Sequence, residues 1–181
     1  MARALGHCLF ATAIGECGIA WTGDAIASVQ LPEADAEGTR RRLLRYTGEV
    51  PESEPPEFVA AAIVRIQALL EGGRDDLGDL PLAWDDVPPF HRKVYAITRA
   101  IPPGEVLTYG EVAKRLGEPG ASRAVGQALG KNPFAPVVPC HRVLAAGGKS
   151  GGFSAEGGAA TKLRMLEIER AQWGESRSLF E

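Results

Sequence analysis

The sequence predicts an α+β chain: a small N-terminal antiparallel sheet with helices, then a mostly helical C-terminal domain containing a helix-turn-helix. Three observations predict it. Short apolar runs separated by turn residues fill positions 7–31. Apolar residues recur at helical spacing over 57–70. Charge also changes sign along the chain: residues 1–89 carry 7 Lys+Arg against 15 Asp+Glu, whereas residues 90–181 carry 13 against 8. That change, beside a proline-bearing acidic stretch over 72–89, places a domain boundary between residues 87 and 88.

Within the first domain (residues 1–87), Cys8–Ile14, Ile19–Trp21 and Ala25–Leu31 read as strands, with turns at Gly15–Glu16 and Thr22–Asp24. An Arg-rich helix follows over 36–46, with Leu43 and Leu44 as its apolar contribution. The acidic connector Pro51–Pro56 leads to a helix over 57–70, apolar at Val59, Ala62, Ile63, Ile66, Leu69 and Leu70.

The second domain (residues 88–181) opens with a helix over 90–101, stopped by Pro102-Pro103-Gly104. Thr108-Tyr109-Gly110-Glu111 is a capping box, in which threonine and glutamate satisfy backbone amides at a helix start. That helix runs to Gly117, and after a turn at Pro119-Gly120 a second spans 122–131. A helix-turn-helix and an ordinary helical hairpin share this pattern. The 9 basic and 3 acidic residues of 90–150 fit phosphate contact and a merely solvated basic face equally well, and they strengthen the helix-turn-helix reading of the pair. One side of the second helix is small: Ala121, Ala124, Gly126, Ala128 and Gly130. Close packing on a neighbouring helix accounts for that, and so does close approach to a DNA backbone, with Arg123 pointing outward. The last helix, 161–170, has an apolar stripe of Leu163, Met165, Leu166 and Ile168, and Glu169 follows Leu166 by three residues.

The 181 residues are 45% hydrophobic, enough for one core or two small lobes. No apolar run approaches the roughly 20 residues of a membrane span, and Glu16 interrupts the short run that could resemble a signal peptide. The expectation is a soluble, cytoplasmic, monomeric chain. Three cysteines at wide spacing are a poor disulfide framework, and no Cys-x-x-Cys pair suggests zinc. Cys8 and Cys17 read as buried strand residues rather than metal ligands with His7, so neither metal nor cofactor is expected.

Cys140 stands out. It follows Pro139 and precedes His141-Arg142-Val143, directly after a run of valines between prolines. A free thiol has a pKa near 8.5, so a nucleophilic cysteine needs a base, a cation or a helix N-terminus beside it. His141 can supply the base, provided the backbone bends here, since adjacent residues of an extended strand face opposite ways. A histidine base needs a partner on its other nitrogen, and Glu169 can serve if it faces inward, although spacing alone favours an ordinary charge at a frayed helix end.

Residues from about 88 to 172 resemble the active-site domain of the O6-alkylguanine-DNA alkyltransferases. The shared pattern is Gly104-Glu105, Thr108-Tyr109-Gly110-Glu111, Ser122-Arg123-Ala124-Val125-Gly126, Lys131-Asn132-Pro133 and Pro139-Cys140-His141-Arg142-Val143. The resemblance implies that Cys140 accepts the alkyl group, His141 acts as its base through a water, and Glu169 orients His141. Asn132 would hold the active-site turn, and Tyr109 would face the flipped base and its phosphate. Arg123 would fill the vacated stack. Ser122, Ala124, Gly126 and Leu129 would lie along the minor groove of double-stranded DNA carrying alkylated guanine, and Pro139, Val143, Phe153 and Ser154 would line the alkyl pocket. The loop Gly147–Gly158 departs from many relatives by carrying Ala155-Glu156 between serine and glycine, and Ala159 where leucine is common.

Two other classes compete. Non-catalytic alkyltransferase-like proteins bind the same lesion but carry another residue, commonly tryptophan, in place of the cysteine. A thiol redox sensor or cysteine hydrolase would explain Cys140 and His141 but leave the helix pair and the basic domain without a purpose.

Overall fold

The computed structural model describes residues 3–146 and 158–172. The chain forms two units. The first takes the chain up to Gly73, then Leu77–Val87 and Pro133–Val137; the second takes Arg74–Asp76, Pro88–Asn132 and the chain from Val138 on.

The first unit is built on an antiparallel sheet of order β1-β2-β3, with β1 Gly6–Thr12, β2 Gly15–Trp21 and β3 Ile26–Gln30. The first turn lies at Ala13–Ile14, two residues before the position read from the sequence, and Gly15 and Glu16 open β2. Thr12 explains the shift. Its hydroxyl accepts from the Ile14 N–H at 3.2 Å and donates to the Gly15 carbonyl at 2.6 Å. Gly15 then takes φ +124°, which a side chain would resist. Helix α1 (Ala36–Thr47) is capped by Asp35, whose carboxylate accepts from the Gly38 N–H at 2.7 Å. Helix α2 (Glu57–Leu70) buries the six apolar residues expected from its spacing.

The segment Pro133–Val137 joins this unit through specific bonds rather than by sequence proximity. The Pro133 carbonyl accepts from the Val29 N–H at 2.8 Å and from the Ser28 hydroxyl at 2.7 Å. Phe134 meets Trp84 edge-on, with ring centroids 5.4 Å apart.

In the second unit, α3 (Pro89–Arg99), α4 (Tyr109–Arg115) and α5 (Ser122–Gly130) pack on one another. Both arms of the capping box are present at α4: Glu111 N–H to Thr108 Oγ1 and Thr108 N–H to Glu111 Oε1, each 3.1 Å. Because Tyr109 is the first residue of α4, this cap also fixes where Tyr109 begins. Buried Tyr95 of α3 donates its hydroxyl to the Ala128 carbonyl of α5 at 2.6 Å. Two very short strands, β4 (Leu107–Thr108) and β5 (Val143–Leu144), pair in parallel and tie the start of α4 to the chain just after Arg142. Helix α6 (Gly158–Ile168) begins three residues before its expected start and packs on a turn of 3-10 helix at Cys140–Arg142. Among the described residues, no helix is long and apolar enough to cross a membrane.

Candidate active site

The backbone bend that Cys140 and His141 require is the 3-10 turn, which Cys140 opens. Cys140 is buried, yet it forms part of the lining of an open cavity of about 780 Å³. Thr108, Tyr109 and Gly110 from the start of α4, and Ser122, Arg123 and Gly126 from α5, line the same cavity. Burial pushes the Cys140 thiol above its ordinary pKa; a hydrogen bond from Asn132, the charge of Lys162 and the amides of Cys140 and His141 oppose that rise. Asn132 also donates to the Val138 carbonyl at 2.8 Å, so one amide side chain braces both the turn and the thiol.

Behind the thiol lies a buried charged cluster. His141, Arg142 and Glu169 are 1%, 1% and 3% exposed. His141 Nε2 is 2.9 Å from Glu169 Oε1. Arg142 donates from Nε to Oε1 at 2.9 Å, from Nη2 to Oε2 at 2.6 Å, and from Nη1 to the Ile101 carbonyl at 2.7 Å. Burial disfavours the Glu169 charge, but the bonds from Arg142 and His141 outweigh it and hold its carboxyl at about 2. Burial also pushes His141 below its usual pKa despite the opposing pull of Glu169. The cluster is therefore Arg⁺, Glu⁻ and neutral His at neutral pH. An ionised carboxylate only accepts, so His141 Nε2 carries the proton and Nδ1 is left with a lone pair. A neutral imidazole in that tautomer can take up a proton.

Burial raises the pKa of the Tyr109 hydroxyl, and the neighbouring Cys140 raises it further, so Tyr109 stays a donor. Lys162 of α6 is also buried; its Nζ donates to the Val143 carbonyl at 2.7 Å and stands 5.7 Å from the centre of the Tyr109 ring.

This arrangement has close counterparts. A family profile described as "6-O-methylguanine DNA methyltransferase, DNA binding domain" matches residues 89–171. The chain is 40% identical over 160 residues to a methylated-DNA–protein-cysteine methyltransferase of Mycolicibacterium paratuberculosis, covering 86% of this chain and 94% of that one. The chain belongs to the methylated-DNA–protein-cysteine methyltransferase family. A methyltransferase of this name from Methanothermobacter thermautotrophicus is 33% identical over 154 residues, 85% of this chain and 79% of that one. Among solved structures, Mycobacterium tuberculosis OGT in complex with DNA superposes with a TM-score of 0.73 at 30% identity, covering 98% of this chain and 100% of that one. The O6-methylguanine DNA methyltransferase of Methanococcus jannaschii does so with a TM-score of 0.63 at 30% identity, covering 92% and 95%.

Set in that methyltransferase fold, Cys140, His141, Glu169, Asn132 and Tyr109 come together as one site. Ser122, Arg123 and Gly126 face the cavity; Arg123 is exposed, while Leu129 is buried though part of the lining. Ala124 is half-buried on the same helix. Pro139 and Val143 are buried, and the described cavity lining does not include them. Phe153 and Ser154 lie outside the described residues. The α6 stripe differs from its sequence reading: Leu163 is exposed, and Lys162, Met165, Leu166 and Glu169 face inward. The helical period finds this face when counted back from Glu169, since Lys162 precedes it by seven residues. Arg142 was visible in the motif without a role, and its pair of hydrogen bonds to the Glu169 carboxylate gives it one.

Glu169→Gln leaves the Arg142 charge buried without its counter-ion, which is expected to cost about 3–5 kcal/mol. The folded carboxyl titrates at about 2 against about 4.3 unfolded, so its contribution is fully present above about pH 4.3 and is lost towards the lower value. Urea midpoints of wild type and variant should therefore converge as pH falls through that window. A gap that is small at neutral pH, or unchanged on acidification, contradicts this account of the cluster.

Proposed function

We propose that the protein repairs DNA by direct reversal, moving the alkyl group of O6-alkylguanine in a duplex onto Cys140, with O4-alkylthymine as the second candidate substrate class. The observation that carries this reading is the placement of one buried thiol in the wall of a cavity flanked by Tyr109 and Arg123, with a neutral histidine beside it in the chain. A cavity of that kind suits a base taken out of the stack, because the O6 substituent is unreachable inside a duplex.

The step balances simply. The thiol proton passes through a water to His141 Nδ1, and the Glu169 carboxylate steadies the imidazolium that forms. Cys140 Sγ bonds to the saturated alkyl carbon as the carbon–O6 bond breaks, and its electron pair stays on the guanine. The Tyr109 hydroxyl donates to the base as that charge develops, and a proton returned to the ring leaves ordinary guanine. A thioether offers water no good leaving group, so each molecule acts once.

Helices α4 and α5 would dock as a helix-turn-helix, with α5 along the minor groove and Arg123 entering the stack. The glycines of α5 support this. A Cβ at Gly130 would meet nothing within 4 Å, and one at Gly126 would meet only the Tyr109 ring, at 3.9 Å, an ordinary contact. Internal packing among the described residues does not require either glycine, which favours close approach to a DNA backbone over close helix packing. We place the protein in the cytoplasm as a single chain; unpaired Cys8, Cys17 and Cys140 suit a reducing compartment.

Cys140→Ala should abolish methyl uptake from radiolabelled O6-methylguanine duplex while retaining binding to it. Label transferred by that variant would sink the assignment, and a wild type that binds the lesion without taking up label would favour the lesion-binding alternative. Gly126→Ala should leave the protein as stable as before, or up to about 1 kcal/mol more so, while weakening its affinity for duplex. Unchanged affinity would remove α5 from the DNA interface.

A further inference from the structure

Glu169 stands at a poor place to hold a carboxylate still. Helix ends fray, and α6 ends at Ile168, so Glu169 is the residue that closes it. The closure is a Schellman turn: the Arg170 N–H donates to the Glu167 carbonyl at 3.0 Å and the Ala171 N–H to the Leu166 carbonyl at 2.9 Å. Leu166 and Ala171 pack together in one buried cluster with Leu144. Such a turn needs a left-handed residue, usually glycine, and here Arg170 takes φ +56° instead. The local sequence therefore does not favour stopping the helix at Glu169, and the stop has to be held by contacts from elsewhere in the chain.

Arg74 makes such a contact. The chain contributes only Arg74–Asp76 to the second unit between Gly73 and Leu77. Arg74 Nη1 carries two hydrogens and donates to the Glu169 carbonyl at 2.9 Å and to the Pro103 carbonyl at 3.4 Å. The last carbonyls of a helix have no partner within it, and a cation beside them suits the helix dipole. Gly104, with φ +91°, leaves room for the guanidinium: a Cβ there would lie 3.0 Å from Arg74 Nη1 and 3.3 Å from the Glu169 carbonyl oxygen.

Two arginines thus tie the turn after α3 to Glu169. Arg142 joins the Ile101 carbonyl to the Glu169 carboxylate, and Arg74 joins the Pro103 carbonyl to the Glu169 backbone. Arg142 is buried, whereas Arg74 is exposed.

Resting on the alkyl-acceptor reading, we propose that Arg74 is a positioning residue for alkyl transfer: it caps α6 at Glu169 and so keeps the carboxylate against His141 Nε2 while the imidazole takes up the thiol proton. Arg74 takes no part in the bond changes and touches none of the reacting atoms.

Arg74→Met removes both bonds and little packing, because the side chain is exposed. In a single turnover at saturating O6-methylguanine duplex it should slow transfer to Cys140 about tenfold, with about a hundredfold as the limit for a full ångström of displacement. Affinity for the duplex should stay as in the wild type, and Arg74→Lys, which keeps a donor and the charge, should recover part of the rate. The His141 Nε2 proton, followed by NMR, should exchange with water faster in Arg74→Met than in the wild type. Arg65→Met is the control: it removes an arginine of the first unit that donates to Asp79 at 3.0 and 2.7 Å, and it should change neither the rate nor that exchange.

Transfer at the wild-type rate in Arg74→Met, an unchanged His141 proton, or equal slowing in Arg65→Met overturns the role of Arg74. Slower transfer explained by weaker duplex binding overturns it too. A wild type that places no methyl on Cys140 would instead overturn the alkyl-acceptor reading.

Discussion

His141, Arg142 and Glu169 can be buried only as a group. Each alone would carry an unmet charge or an unmet hydrogen bond into the interior, at several kcal/mol. Together, one carboxylate accepts from an imidazole and twice from a guanidinium, and the third guanidinium arm reaches the Ile101 carbonyl. Much of the second unit serves this cluster. The 3-10 turn places His141 and Arg142 side by side, β5 ties the following residues to β4, and Glu169 sits just past the last turn of α6. Arg74 adds a bond from Nη1 to the Glu169 backbone carbonyl at 2.9 Å, fixing the chain that carries the carboxylate. Satisfying that cluster leaves His141 neutral with a lone pair on Nδ1, the state that the proposed chemistry at Cys140 requires.

Around this fixed centre the remaining parts divide the work. Asn132 braces the turn and the thiol at once, and the capping box begins α4 at Tyr109, so the hydroxyl donor and the nucleophile share one cavity. On α5, Arg123 and Gly130 are exposed and Ala124 and Gly126 half-buried, whereas Ala128 of the same small face belongs to the core. Burial makes the thiol reluctant to ionise, which the surrounding donors and Lys162 only partly offset.

Much of this was legible in the sequence. The α2 spacing gave the buried set residue by residue, and Thr108 with Glu111 marked the start of α4, because both signals are local. Cys140 and His141 stood out as a pair, while their roles came from the resemblance of their surroundings to a known family. Signals that depend on distant partners were not readable. The parallel pairing of β4 with β5 involves two residues a side, too few for any periodicity. The return of Pro133–Val137 to the first unit depends on Ser28 and Val29, more than a hundred residues earlier. On α6, hydrophobicity pointed to Leu163, whereas the buried face belongs to Lys162 because Tyr109 and the Val143 carbonyl receive it. Arg142 was hidden in the same way: its burial makes sense only once Glu169 is seen beside it.

The central claim is that Cys140 is a stoichiometric acceptor rather than a catalyst that turns over. Intact-protein mass, recorded after mixing the wild type with an excess of O6-methylguanine duplex, tests it most directly. The account predicts a gain of one methylene per chain, mapped by peptide analysis to Cys140, with no further repair once every chain is modified. A chain of unchanged mass, a gain mapped to Cys8 or Cys17, or repair that outruns the number of protein molecules would contradict it.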